Sequence, residues 1–153
     1  MGPNSPRSYR PSSVSIQGRT LMKKVKTIRL GYDALNRGEL PQVKRMVTDD
    51  VEWGTVRAFR GMRGVYRGIA GIDEWIHMLR SVWTFQGVSL DEVVGETKYA
   101  LVASERLRGR DPETGLEVAM PVFAVYWFDV DKVRRRRVFA ERTEALEAAG
   151  LSD

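Results

Sequence analysis

His77 is the only histidine of the chain. Its ordinary pKa lies near neutral pH, so it is the first candidate for moving a proton. It stands beside Ile72, Trp75, Ile76 and Leu79, an apolar stripe at helical spacing, where a histidine serves packing or solvent contact equally well. Arginine is the other prominent source of chemistry: Arg134 to Arg137 form an unbroken run. Arginine stays protonated and cannot act as a general base, but its fork can hold a carboxylate. Trp53, Trp75, Tyr126 and Phe128 offer flat apolar surface. There is no cysteine, which excludes disulfides and thiolate chemistry. One histidine without thiolates does not make a structural zinc site. No metal and no cofactor are expected.

The elements that would position these residues follow from hydrophobic period. Leu21, Val25, Ile28, Tyr32 and Leu35 recur at helical spacing, so 21–37 reads as an amphipathic helix ended by Gly38. A short helix follows, with Pro41 in its first turn and Val43, Met46 and Val47 inward. Thr48-Asp49-Asp50 breaks it, and Val51-Glu52-Trp53 starts a strand. Residues 54–71 read as irregular, and 72–83 as a third helix. The period then changes to two. Strands are expected at 88–96, 99–110, 117–129 and 133–140, with a short helix at 143–149 closing the chain. Helices first and a strand meander afterwards is an α+β order. On a strand, Arg134 to Arg137 would divide between two faces.

The chain has 153 residues, enough for one domain with a core. The 42% apolar and 29% charged residues are ordinary for a globular protein, so composition points to no special class. No apolar run reaches the roughly 18–20 residues a membrane span needs, and no membrane is expected as a partner. The net charge is +5, but Arg7, Arg10 and Arg19 carry part of it in a Pro-, Ser- and Gly-rich N-terminal segment. Nucleic acid is therefore not an expected partner, since no docking motif accompanies the charge. Residues 1–20 lack apolar periodicity and read as a flexible tail ahead of a single domain at 21–151. They hold no signal-peptide core, so the expected location is cytoplasmic.

Four phrases carry a family resemblance. Tyr32 to Leu40 (YDALNRGEL) is similar to an "ALNRGDLD" first-helix exit. Asp49 to Trp53 (DDVEW) and Tyr66 to Ile72 (YRGIAGI) match a first strand and the entry to a third helix. Glu141 to Leu151 (ERTEALEAAGL) resembles a "DRAEALEAAGL" ending. In this order and spacing, over about Met22 to Leu151, they resemble the SnoaL-like, nuclear transport factor 2-like superfamily. The resemblance implies a curved antiparallel sheet wrapped around helices as a cone, an apolar pocket at one end, and pairing into homodimers through the sheet. That superfamily includes ketosteroid isomerases, epoxide hydrolases, polyketide cyclases and binding or scaffold domains, so fold does not settle function.

The catalytic groups of the known members can be sought position by position. A ketosteroid isomerase needs an Asp base with a Tyr and a protonated Asp as oxyanion hole. Those positions fall on Thr55, Gly31 and near Ala124, with Tyr32 one residue, about 100°, around the helix. The epoxide hydrolases use Asp–Arg–Asp. Ser104 to Arg108 (SERLR) resembles their "TERVD" strand and keeps the arginine as Arg106, but the acids fall on Arg108 and Val138. A polyketide cyclase needs an acid–base group, for which His77 is available.

Strand alternation then points Val51, Trp53 and Thr55 inward, with Val102, Ser104, Arg106 and Arg108 from the middle strand. Met120, Val122, Ala124, Tyr126 and Phe128 follow, then Arg136 and Val138, with Trp75 from the third helix. Glu52 and Glu105 are out of phase and face outward unless the register slips by one. The expected site has Arg106 and His77 as catalytic groups. Trp53, Thr55, Trp75, Ser104, Arg108, Tyr126, Phe128 and Arg136 would contact the ligand. Such an aromatic bowl with a cationic rim suits a small hydrophobic, aromatic or polyketide-like molecule, with isomerase, cyclase or hydrolase chemistry. The alternative is a filled core in a non-catalytic dimeric binding or scaffold module. Val125 and Trp127, on the opposite sheet face, would form the dimer contact.

Overall fold

The computed structural model describes residues 16–55, 63–82 and 84–152. The first helical stripe folds as its period requires. In α1 (Ile16–Arg37), Ile28, Tyr32 and Leu35 are buried, and Leu21 and Val25 pack against them. The helix begins at Ile16, inside the segment expected as a tail; residues 1–15 lie outside those described. Its end is a Schellman turn: Gly38 takes φ +80°, Gly38 N–H bonds Leu35 O at 3.1 Å, and Glu39 N–H bonds Ala34 O at 2.8 Å. The turn leads into α2 (Leu40–Lys44), whose Val43 is buried.

The remaining elements are β1 (Val47–Gly54), β2 (Val65–Arg67), α3 (Gly68–Val82), β3 (Thr84–Glu96), β4 (Ala100–Arg110), β5 (Glu117–Asp129), β6 (Lys132–Phe139) and α4 (Arg142–Ala148). One six-stranded sheet has the order β2-β1-β6-β5-β4-β3. All neighbours are antiparallel except β1 and β6, which run parallel. The architecture is α+β, with the curved sheet wrapped around the helices.

Three differences from the sequence reading have local causes. Thr48-Asp49-Asp50 does not end the second helix: α2 stops at Lys44, and Thr48 to Asp50 lie within β1, Asp49 and Asp50 exposed, where its register against β6 shifts between Val47 and Glu52. Part of the expected irregular stretch is ordered. Val65–Arg67 pairs with β1, burying Tyr66 opposite Trp53, but three residues are too few to show a period. Residues 56–62 of that stretch lie outside those described. Finally, β3 starts at Thr84 and its register against β4 shifts three times. Such bulges bend a strand and break its alternation, which hides its first residues from a period-two reading.

The sheet has two apolar faces. The concave face meets α1 and α3 in the main core of Ile28, Tyr32, Trp53, Tyr66, Trp75, Leu101, Ala124 and Tyr126, among others. The convex face carries a second cluster, in which Ala145 and Leu146 of α4 cover Ala100, Val102 and Val125. The expected open position of Val125 is thereby corrected: it is 0% exposed because α4 lies over it. Trp127 is half-buried, with the Arg135 guanidinium 5.0 Å from its ring centre. Among the described residues, no helix is long and apolar enough to cross a membrane.

Candidate functional site

The strands of the concave face bring their side chains to one place by register. On β4 and β5 the facing pairs are Leu101 with Tyr126, Ala103 with Ala124, and Glu105 with Val122. Next door, Tyr126 faces Arg136 on β6, and Trp53 on β1 faces Arg136 from the other side. Because α1 crosses this face, Tyr32 points into the same space. The result is a polar cluster within an aromatic wall: Tyr32, Glu105, Tyr126 and Arg136, with Trp53 and Trp75 beside them.

The cluster is buried and internally bonded. Glu105 is 1% exposed and Arg136 6%. Arg136 reaches three acceptors: its Nη2 donates to Glu105 Oε1 at 2.8 Å, its Nη1 to Gly54 O at 2.5 Å and its Nε to Tyr126 Oη at 3.3 Å. The Tyr126 hydroxyl donates to Glu105 Oε2. Tyr32 Oη lies 3.1 and 3.2 Å from the two Glu105 oxygens and also bonds Tyr126 Oη. A carboxylate offers about four acceptor sites, and here two phenols and a guanidinium bring at most three donors to them. The Arg136 guanidinium also sits 4.8 Å from the Trp53 ring centre and 5.6 Å from that of Tyr126.

Titration follows from this enclosure. Burial pushes the Tyr32 phenol well above its usual range; Arg136 opposes the shift and Glu105 adds to it. Burial does the same to Tyr126, reinforced by the Glu105 charge and by Tyr32. For Arg136, burial works against the charge, but the oxygens of Tyr32, Tyr126 and Glu105 outweigh it and the net shift is upward. Both phenols are therefore neutral donors at ordinary pH, and Arg136 is a fixed cation. Chemically, the group pairs a carboxylate that can accept a proton with phenols that can hydrogen-bond an oxygen on which negative charge develops.

Four of the expected site residues, Trp53, Trp75, Tyr126 and Arg136, come together here. Phe128 is buried in the same main core, and Thr55 is buried just beyond β1, where its Oγ1 donates to Arg63 O at 2.8 Å. The other four are elsewhere. The phase of β4 is one residue off from the sequence reading: Leu101, Ala103 and Glu105 face the core, so Ser104, Arg106 and Arg108 face outward. Arg106 is exposed and its Nε holds Asp91 Oδ2 at 2.6 Å. Arg108 lines an open surface groove with Gln86, Glu117, Val118 and Ala119. His77 is exposed on α3, its Nε2 3.3 Å from Ser81 Oγ.

The cause is visible in residues 100–103, Ala-Leu-Val-Ala. Both faces of β4 are apolar there because α4 covers the convex side, so alternation has no phase to show. Tyr32 and Glu105 are outside the expected site set, and Glu105 enters it by the one-residue slip under which the sequence turns it inward. Glu105 shares its phase with Leu101, Ala103 and Leu107, and a lone carboxylate on such a row was the available signal. Gly31, the expected oxyanion position, instead lets Met46, between α2 and β1, pack against α1: a Cβ there would meet Met46 Sδ at 2.2 Å. Among the described residues, no group of three His, Cys, Asp or Glu could hold a metal ion.

Comparison with known proteins agrees with this architecture. The model of the SnoaL-like domain matches residues 28–136. No curated protein matches the chain in sequence. Among solved structures, Bal32a from a soil-derived mobile gene cassette superposes with a TM-score of 0.67 at 18% identity, covering 84% of this chain and 96% of its own. TerC co-crystallized with polyporic acid gives 0.62 at 16%, covering 83% and 97%. An LEH-like epoxide hydrolase from M. tuberculosis gives 0.60 at 15%, covering 84% and 90%. At these identities the likeness is one of fold.

Proposed function

We propose that this chain, which belongs to the SnoaL-like domain family, is a small-molecule protein whose cone takes a planar, aromatic or polyketide-like carbonyl compound and moves a proton on it. The observation that carries this reading is Glu105: a carboxylate 1% exposed, held between two neutral phenols and a guanidinium inside an aromatic wall. Glu105 is the base in this reading. Tyr32 and Tyr126 are the donors that stabilise the oxygen of the resulting enolate. Arg136 fixes the carboxylate and balances its charge. Solved relatives of the fold include an epoxide hydrolase and a protein co-crystallized with polyporic acid, which supports a ligand of this kind. The test is deuterium exchange at the α-carbon of 1-tetralone in D2O, followed by proton NMR. Wild type should accelerate exchange and folded Glu105→Gln should not. Equal rates with both proteins, or no acceleration at all, would sink the proposal.

One observation favours a second reading. Glu105, Arg136 and both phenols already satisfy one another. A network closed in this way also suits a non-catalytic binding or scaffold module, homodimeric as the family resemblance implies. On that reading the double variant Glu105→Leu with Arg136→Met keeps fold and stability, no exchange is catalysed, and sedimentation velocity gives a dimer mass.

A further inference from the structure

Three arginines alternate along the outward side of β4: Arg106, Arg108 and Arg110. The outer two are neutralised. Arg106 Nε holds Asp91 Oδ2 at 2.6 Å. Arg110 Nη2 holds Glu117 Oε1 at 3.2 Å, and its Nη1 donates to Gly115 O at 2.6 Å. Arg108, between them, is exposed and has no ion pair or hydrogen bond among the described residues.

What Arg108 has instead is space. It borders a groove of about 510 Å³, inside the roughly 300–1,000 Å³ of small-molecule clefts. Register builds the walls. Arg108 faces Ala119 on β5, while Gly109 and Arg110 face Val118 and Glu117. On the other side β3 carries a bulge at Gln86, between Phe85 opposite Gly109 and Gly87 opposite Arg108. A bulge re-aims the side chain it adds, and Gln86 lines the groove with Arg108. Val118 and Ala119 thus make an apolar wall, and Gln86 and Arg108 make a polar one. Glu117 also lines the groove, but Arg110 balances its charge, so the charge left over is that of Arg108.

We propose that this groove is a second ligand site, which takes a carboxylate joined to a flat apolar body. The Arg108 fork receives the carboxylate through two parallel hydrogen bonds. Val118 and Ala119 cover the body, and the Gln86 amide adds a donor beside the guanidinium. The site lies across β4 from Glu105 and is independent of what the cone takes.

The test is a titration of ¹⁵N-labelled protein with 2-naphthoate and 2-naphthamide, which match in shape and differ in charge. The acid should move the Val118 and Ala119 amide signals saturably and bind about tenfold tighter than the amide. Arg108→Gln, which breaks no contact described in the fold, should bring the acid down to the level of the amide. Arg134→Gln removes an exposed cation on β6, near the opposite end of β5. It should leave the acid's affinity within about twofold, because distant surface charges are screened. Equal binding of acid and amide, no saturable shift with either, or shifts centred on Ala103 and Ala124 in the cone would overturn the proposal. So would undiminished binding by Arg108→Gln, or an equal loss in Arg134→Gln.

Discussion

Glu105 and Arg136 depend on each other. A buried ion pair adds little over a well-packed apolar pair, but removing one partner strands the other's charge. Glu105→Gln leaves Arg136 without its counter-charge at 6% exposure and should cost about 3–5 kcal/mol, read as a lower midpoint in urea unfolding. An unchanged midpoint would mean that the guanidinium finds another partner. The phenols give a pH prediction with a definite sign. Tyr32 and Tyr126 have raised pKa values in the fold, whereas an unfolded tyrosine titrates near ~10. The phenols' contribution to stability is thus fully present below about pH 10 and is lost as pH rises toward the folded-state values. Tyrosinate absorbance should show these two phenols ionising only on unfolding. Tyr32→Phe and Tyr126→Phe would each remove one step from the alkaline unfolding transition and none from the part preceding it.

At the scale of elements, the β5–β6 hairpin carries a correctable strain. Val130 has φ +58° and is 91% exposed, so a β-branched residue sits in the left-handed region with no packing in return. Val130→Asn should stabilise by about 1 kcal/mol, since asparagine tolerates that region. For a domain of this size that raises Tm by about 2–4 °C; a lower Tm would show that Val130 makes contacts that matter. Strand β4 displays the reverse relation between element and surroundings. It is straightforward to identify as a strand. Its orientation is set by what covers each face, and the covers are α1 and α4, distant in sequence.

For the whole molecule, the role of α4 is the decisive feature. A seven-residue helix turns the convex face near Val102 and Val125 from a surface into a second small core. Leu146 is 4% exposed in that core. Leu146→Ala should cost about 2–4 kcal/mol in thermal or denaturant unfolding. Leu146→Asp should go further and uncover the face, giving ANS binding and concentration-dependent self-association by sedimentation. If the Asp variant stayed as stable as wild type and did not self-associate, α4 would be an ornament on the sheet and not its cover.

The sequence by itself determined the local periods. The stripe of α1, the Gly38 stop, the strand meander and the inward row of Trp53, Tyr126 and Arg136 are all legible, because each follows from spacing within one element. The family frame was legible for the same reason, as short phrases in a fixed order. What only the tertiary structure decided is the phase of β4, and with it the identity of the site. Arg106 and Glu105 are neighbours, and alternation sends one to each face. Burial selects the carboxylate because Arg136, thirty-one positions on, supplies its charge, and Tyr32, seventy-three positions before it, supplies a hydroxyl.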